Sequence, residues 1–307
     1  MMLSHRLKRR LGILTVLVGA LLCASLDSHA TTTLYPSGEE VSTIQEAIDR
    51  ADPGSTIVIS CGEYHENLSI TKPLTLLGIG EVLLIPVNRA VWTVRIAETE
   101  GVLIRNIGIE AAPMGFKITG STCRITRCRL HTTDTGVEVV AIDPNRVSLD
   151  QCSFSGEGIG VLTVGDGVIE VIDCQFHGLG TGALLGGATS VLVSACTFEE
   201  CHEGISLASS AKGTLVDNCI SDSRGSGILV GPAPFHTWDG PMILVSNTIR
   251  NSAEWDVSLC GISPVGELSF QGQLHGFGNS ITASDEPRRV CPADYEWPEG
   301  FFTTLDE

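Results

Sequence analysis

The stretch Val171-Ile172-Asp173-Cys174-Gln175-Phe176-His177-Gly178-Leu179-Gly180-Thr181-Gly182-Ala183-Leu184-Leu185 is one copy of a unit that recurs between residues 102 and 259. The copies align on a small or polar turn residue: Asn106, Cys128, Cys152, Cys174, Cys196, Asn218 and Asn247. Successive intervals are 22, 24, 22, 22, 22 and 29 residues. Three places before each anchor stands Leu103, Ile125, Leu149, Val171, Val193, Leu215 or Leu244. A glycine follows each anchor by eight or nine places (Gly115, Gly136, Gly160, Gly182, Gly204, Gly227), with Asp256 in the last copy. A further column reads Gly108, Leu130, Phe154, Phe176, Phe198, Ile220, Ile249.

Apolar residues at alternate positions are strand periodicity. The runs are broken by Gly, Asn and Asp, which tolerate left-handed turns. A strand set this short cannot bury its own apolar face, so the copies must stack. Stacking in register puts like residues about 4.8 Å apart and predicts an internal pile of Phe154, Phe176 and Phe198. A leucine-rich repeat of similar length would need a Leu-x-x-Leu-x-Leu pattern and a helical back face. Val, Ile, Thr and Gly usage favours strand and turn throughout.

Residues 1–30 have the layout of a secretory signal. Arg6, Lys8, Arg9 and Arg10 precede an apolar run from Leu11 to Leu22, and Ser28-His29-Ala30 offers a cleavage site. The run is short for a membrane span, so no transmembrane segment is expected after its removal. Residues 31–307 are expected to form a single domain, with residues 31–55 as N-terminal cap, 56–259 as coils, and 260–307 as last coil and C-terminal cap. The cap includes a helix over 42–52, where Thr43 and Glu46 fit a capping box and Ile44, Ala47, Ile48 and Ala51 make one apolar stripe. Pro53-Gly54 stops it.

The whole chain has 19 basic and 36 acidic residues, a net charge of −17. Without residues 1–30 the counts are 15 and 35, a net charge near −20. Nucleic acid, which is bound by neutralising phosphates, is excluded as a partner on this balance. A polyanionic substrate would need a bridging Ca²⁺, whose natural ligands are carboxylates; no other cofactor is expected.

Four segments carry a family resemblance. They are Ser42 to Ile48, Gly54 to Ile57, Gly62-Glu63-Tyr64-His65-Glu66, and Lys72-Pro73-Leu74-Thr75-Leu76-Leu77-Gly78. They are similar to the entry segment of right-handed parallel β-helix proteins of the pectin-lyase-like superfamily, which includes NosD-type periplasmic proteins. The resemblance implies an all-β fold, a right-handed parallel β-helix of about 22-residue coils, with a short capping helix and an irregular C-terminal cap. It implies no single activity, because that superfamily holds lyases, hydrolases, esterases and non-catalytic members. In that family the anchor is often an Asn of an internal ladder; here Cys128, Cys152, Cys174 and Cys196 take four consecutive places.

Stacked cysteines read as small buried core residues; parallel Cβ vectors make disulfides between them poor. A soft-metal column is the alternative chemistry, since thiolates suit Cu(I) or Zn. Cys260 and Cys291 flank the end of the repeat and are the disulfide candidate, clamping the tail. Two sets of side chains are candidate sites. His131, His177, Glu199, Glu200, His202, Asp222 and Arg224 follow the anchors, and carboxylates beside His and Arg can act as acid and base. An insertion containing Phe235, His236, Trp238 and Asp239 lengthens the last interval, and an exposed Trp can stack on a sugar ring.

These observations lead to an exported protein, secreted, periplasmic or at the cell surface, and a monomer. The leading expectation is a non-catalytic scaffold or glycan-binding module, with a polysaccharide or cell-surface component as partner. The alternatives are a polysaccharide lyase or glycoside hydrolase using the polar turns, and NosD-like copper handling.

Overall fold

The structure, a computed structural model, describes residues 31–34, 43–89, 92–142, 144–231, 240–259, 273–282, 290–291 and 299–303. Among them, 28 strands join through parallel pairings into one continuous sheet. The sheet is wound as a solenoid with three faces. A central coil shows the plan: Val168–Ile172 on the first face, Gln175–His177 on the second, Thr181–Leu185 on the third. Each pairs in register with the next coil, with Ser190–Ser194, Thr197–Glu199 and Glu203–Leu207 respectively. Contacts therefore run between neighbouring coils, and the apolar interior is continuous along the axis.

The interior is built by alternation. On the first face Ile169 and Val171 point inward and are fully buried. On the second face the stack of Phe154, Phe176 and Phe198 forms as the column predicts. Ring centroids are 4.7 and 4.5 Å apart, and the rings are within 4° of parallel. The glycine column on the third face follows from this stack. A Cβ at Gly182 would lie 2.4 Å from Cδ1 of Phe198 and 2.5 Å from the carbonyl oxygen of Gly204. Gly136, Gly160 and Gly204 meet the same carbonyl obstruction from the coil above.

The first corner is a two-residue device. Arg127, Gln151, Asp173, Ala195, Asp217 and Ser246 have φ between 52° and 55°, which turns the chain. The next residue points inward: Cys128, Cys152, Cys174, Cys196, Asn218 and Asn247, all at most 2% exposed. Asn279 continues this ladder. Asn106 does not belong to it. Its φ is 57°, its N–H donates to the Thr126 carbonyl as that of Arg127 does to Asp150, and it is only half-buried. The ladder place in its coil is held by Ile107, whose carbonyl accepts from Arg129 just as that of Cys128 accepts from Ser153. The register between Glu100 and Val102 shifts by one residue, so the alignment of this coil on its asparagine is displaced. Ile104 and Ile109, not Leu103 and Gly108, pair with Ile125 and Leu130. A one-residue slip exchanges the inner and outer faces.

The N-terminal end is closed by α1 (Ile44–Arg50), shorter at both ends than the predicted 42–52. Thr43 is its N-cap and accepts from the Glu46 N–H at 3.0 Å. Glu46 pairs with Arg50. Glu66 supplies a further cap. Its two carboxylate oxygens accept from the N–H groups of Ile44 and Gln45 at 2.8 and 2.9 Å. At the far end, Phe302–Thr303 pairs with Asn279–Ser280, and Phe301 is buried beneath the last rung. Val290–Cys291 is a short parallel strand beside Val257 and Ser258. No helix among the described residues is long and apolar enough to cross a membrane.

Candidate functional site

The second corner carries the polar turn residues. The second-face strands end in outward positions that stack as His131, Ser155, His177 and Glu199. The next residues turn the chain with positive φ: Gly178 at 71°, Glu200 at 53° and Asp222 at 56°. A buried column follows, Leu179, Cys201, Ser223 and Ser252. His202 and Arg224 come one place later, beyond that column. The seven predicted residues therefore lie on two sides of one corner rather than in one cluster.

Three of them are brought together. The Nδ1 of His177 lies 3.7 Å from Oε2 of Glu199, and its Nε2 lies 3.9 Å from Oε2 of Glu200. All three side chains are more than half exposed. A protonated His177 would be an exposed cation between two carboxylates, worth little to stability but open to a solute. Three of the others are engaged elsewhere. Asp222 accepts from the Asn251 side chain at 3.1 Å, and His131 contacts the Ser155 hydroxyl at 3.1 Å. Arg224 reaches two coils back, donating to the carbonyls of Gly178 and Leu179 at 3.2 Å.

The cysteine column is internal. The sulfurs of Cys152, Cys174 and Cys196 lie 3.4 to 3.6 Å from the carbonyls of Ile125, Leu149 and Val171. The thiols of Cys128 and Cys174 are held above the ordinary thiol value by side-chain hydrogen bonding along the column and then by burial, and those of Cys152 and Cys196 are held below it by the same bonding. All four are at most 2% exposed and pack as small core residues. Among the described residues no group of three or more His, Cys, Asp or Glu is arranged to hold a metal ion, and eight cysteines are free thiols. Cys260 of the predicted clamp, and Phe235, His236, Trp238 and Asp239, lie outside the described residues.

Two concavities open on the early coils. One, of about 570 Å³, is bordered by Lys72, Glu98, Glu100 and Ile142. The Lys72 ammonium is already spent on the carbonyls of Asp49 and Ala51 at the end of α1. The other, of about 300 Å³, is bordered by Glu81, Asn106, Gly108, Arg127 and Arg129. None of its charged groups was singled out from sequence, although a signal was there. Residues 89–146 hold eight basic and six acidic side chains in a chain of net charge −17.

Comparison with known proteins agrees with this architecture. The closed three-faced coil is that of an alginate lyase from Paenibacillus sp. str. FPU-7, with a TM-score of 0.61 at 12% identity over 85% of this chain and 98% of that one. The Dettilon tailspike protein gives 0.60 at 12% identity, over 84% of this chain and 64% of the tailspike. A Geobacillus virus E2 protein, ORF18, gives 0.61 at 12% identity, over 84% and 62%. At such identity the likeness is one of fold. No curated protein matches significantly in sequence. The family model for the right-handed beta helix region matches residues 114–268, just over half of the chain. With its parallel coils and inward ladder, the chain belongs to the right-handed β-helix family.

Proposed function

We propose that the protein is an exported, non-catalytic solenoid that binds polysaccharide along its outer surface. One observation carries this reading. Outward side chains repeat in register from coil to coil, as in the column His131, Ser155, His177, Glu199. Parallel rungs about 4.8 Å apart offer a row of polar groups with a spacing close to one sugar unit of an extended chain. The fold shared with an alginate lyase supports a polysaccharide as the partner. Residues 1–30 support export, and recovery of a mature chain beginning at Thr31 from outside the cytoplasm tests it.

A row of contacts differs from a compact pocket in its length dependence. Affinity for an oligosaccharide series is expected to rise with each added sugar over several units, because each engages a further coil. Affinity that is already complete with a disaccharide would count against the reading.

A second reading, a polysaccharide lyase or hydrolase, is favoured by His177 standing between Glu199 and Glu200. It requires that any cleavage of polymer be lost in both His177→Ala and Glu199→Ala. Cleavage that survives both substitutions would reject this corner as the site.

A further inference from the structure

The cleft beside the first corner has a built cause. The chain bulges outward between Ser60 and Gly62 against Ile79 to Val82, and Gly80 turns there with φ of 76°. The Asn106 side-chain amide ties the bulge down, donating to the carbonyls of Gly78 and Gly80 at 2.9 and 3.0 Å. One coil on, Gly108 occupies the outward place directly below Arg129. A Cβ there would come within 2.7 Å of Leu83 and 3.8 Å of the Arg129 guanidinium. Gly108 thus stands where Leu83 leaves no room for a side chain, and it lines a concavity of about 300 Å³.

Two guanidinium groups border this space. Arg127 spends its Nε on Oε1 of Gln151 at 2.9 Å. Its two terminal nitrogens make no hydrogen bond among the described residues. Arg129 reaches Oε1 of Glu81 at 3.0 Å through Nη2, in a pair whose side chains are 55% and 70% exposed. A pair so exposed contributes little and is readily exchanged for another anion. Arginine presents planar, forked donors that match an oxyanion in bidentate fashion. The acidity of the rest of the chain does not forbid this, because charges beyond about 8 Å are screened at physiological ionic strength.

We propose that this cleft is an oxyanion site. It takes one carboxylate or sulfate group, free or carried on a sugar unit, between Arg127 and Arg129, and Glu81 is the internal counter-ion that the ligand displaces. The site does not depend on the polymer reading above, since a small solute suffices to fill it.

Calorimetric titration of the mature full-length protein with D-glucuronate, inorganic sulfate and glucose tests it. Glucuronate or sulfate is expected to bind while glucose does not. Glucuronate tighter than sulfate identifies a sugar acid as the ligand, and sulfate alone identifies a free ion. Arg129→Ala should weaken binding by about tenfold or more, the scale of one charged hydrogen-bonded pair. Glu81→Gln should tighten it severalfold, because the competing carboxylate is gone. Both side chains are exposed, so neither change threatens the fold, and an unchanged melting temperature verifies this. Equal binding of glucose, no binding of either anion, or a Glu81→Gln variant that binds no tighter than the parent would overturn the proposal.

Discussion

The backbone N–H of Cys196 donates to Oδ1 of Asn218 at 3.0 Å, and at this joint a column of thiols becomes a column of amides. On the amide side, the side-chain amides of Asn218 and Asn247 each donate two bonds, to the oxygen of the next asparagine and to a carbonyl of the preceding coil. On the thiol side the same carbonyl places are met by sulfur at 3.4 to 3.6 Å. The two halves do one job with different strength. Cys174→Asn is therefore expected to keep or raise the melting temperature. Cys174→Val leaves the Cys152 N–H, which now donates to the Cys174 sulfur at 3.4 Å, without an acceptor. It should cost about 1–3 kcal/mol, and chemical denaturation of both variants reads the difference.

The glycine column is set by space. Gly182 has no room for a methyl group between the Phe198 ring and the Gly204 carbonyl. Gly182→Ala should destabilise by roughly 1–3 kcal/mol or more, the usual cost of overpacking. Gly178→Ala, whose Cβ would meet nothing within 4 Å but whose φ is 71°, should cost only about 1 kcal/mol, from backbone strain. Equal costs at the two sites would show that the stack yields more than the geometry allows.

Glu66 closes the N-terminal helix from another coil. Glu66→Ala removes the acceptor of both the Ile44 and Gln45 N–H groups. A loss of roughly 1–2 kcal/mol is expected, typical of a cap. Faster amide exchange confined to α1 and its neighbours would locate the effect there.

Buried thiols make the fold sensitive to alkali. Burial pushes Cys123 up to about 12 and Cys201 up to about 11, from an ordinary value of 9.0. Both values are raised in the folded protein, so the fold favours the protonated thiol. This contribution is whole below pH 9 and is lost as pH rises through 9 toward 11 and 12, because the unfolded chain releases its protons first. The slope is about 1.4 kcal/mol per pH unit for each thiol. The urea midpoint should fall between about pH 8 and about pH 10, and less steeply in a Cys123→Ala, Cys201→Ala variant. An identical decline in that variant would assign the effect to other groups.

What was legible in the sequence was whatever repeats. The Phe154, Phe176, Phe198 stack, the cysteine places and the glycine column follow from spacing alone, because in-register stacking converts equal spacing into contact. Asn106 misled for the same reason. An asparagine looks like a ladder residue, yet a single-residue shift at Glu100 to Val102 moved it into the turn place. The cleft was hidden because it lies at interruptions of the repeat: the register shift between Ser60 and Gly62, the turn at Gly80 and the crowded, side-chain-free place at Gly108. Glu66 was read as part of the entry coil, but its partners lie 21 and 22 residues away, a distance that no local pattern reports.

The most direct test of the account uses purified mature protein and a panel of neutral and acidic polysaccharides, with and without Ca²⁺, following binding and chain cleavage in the same samples. Binding of at least one polymer with its chain length unchanged is expected. Shortening of any polymer, or no binding to any of them, would contradict it.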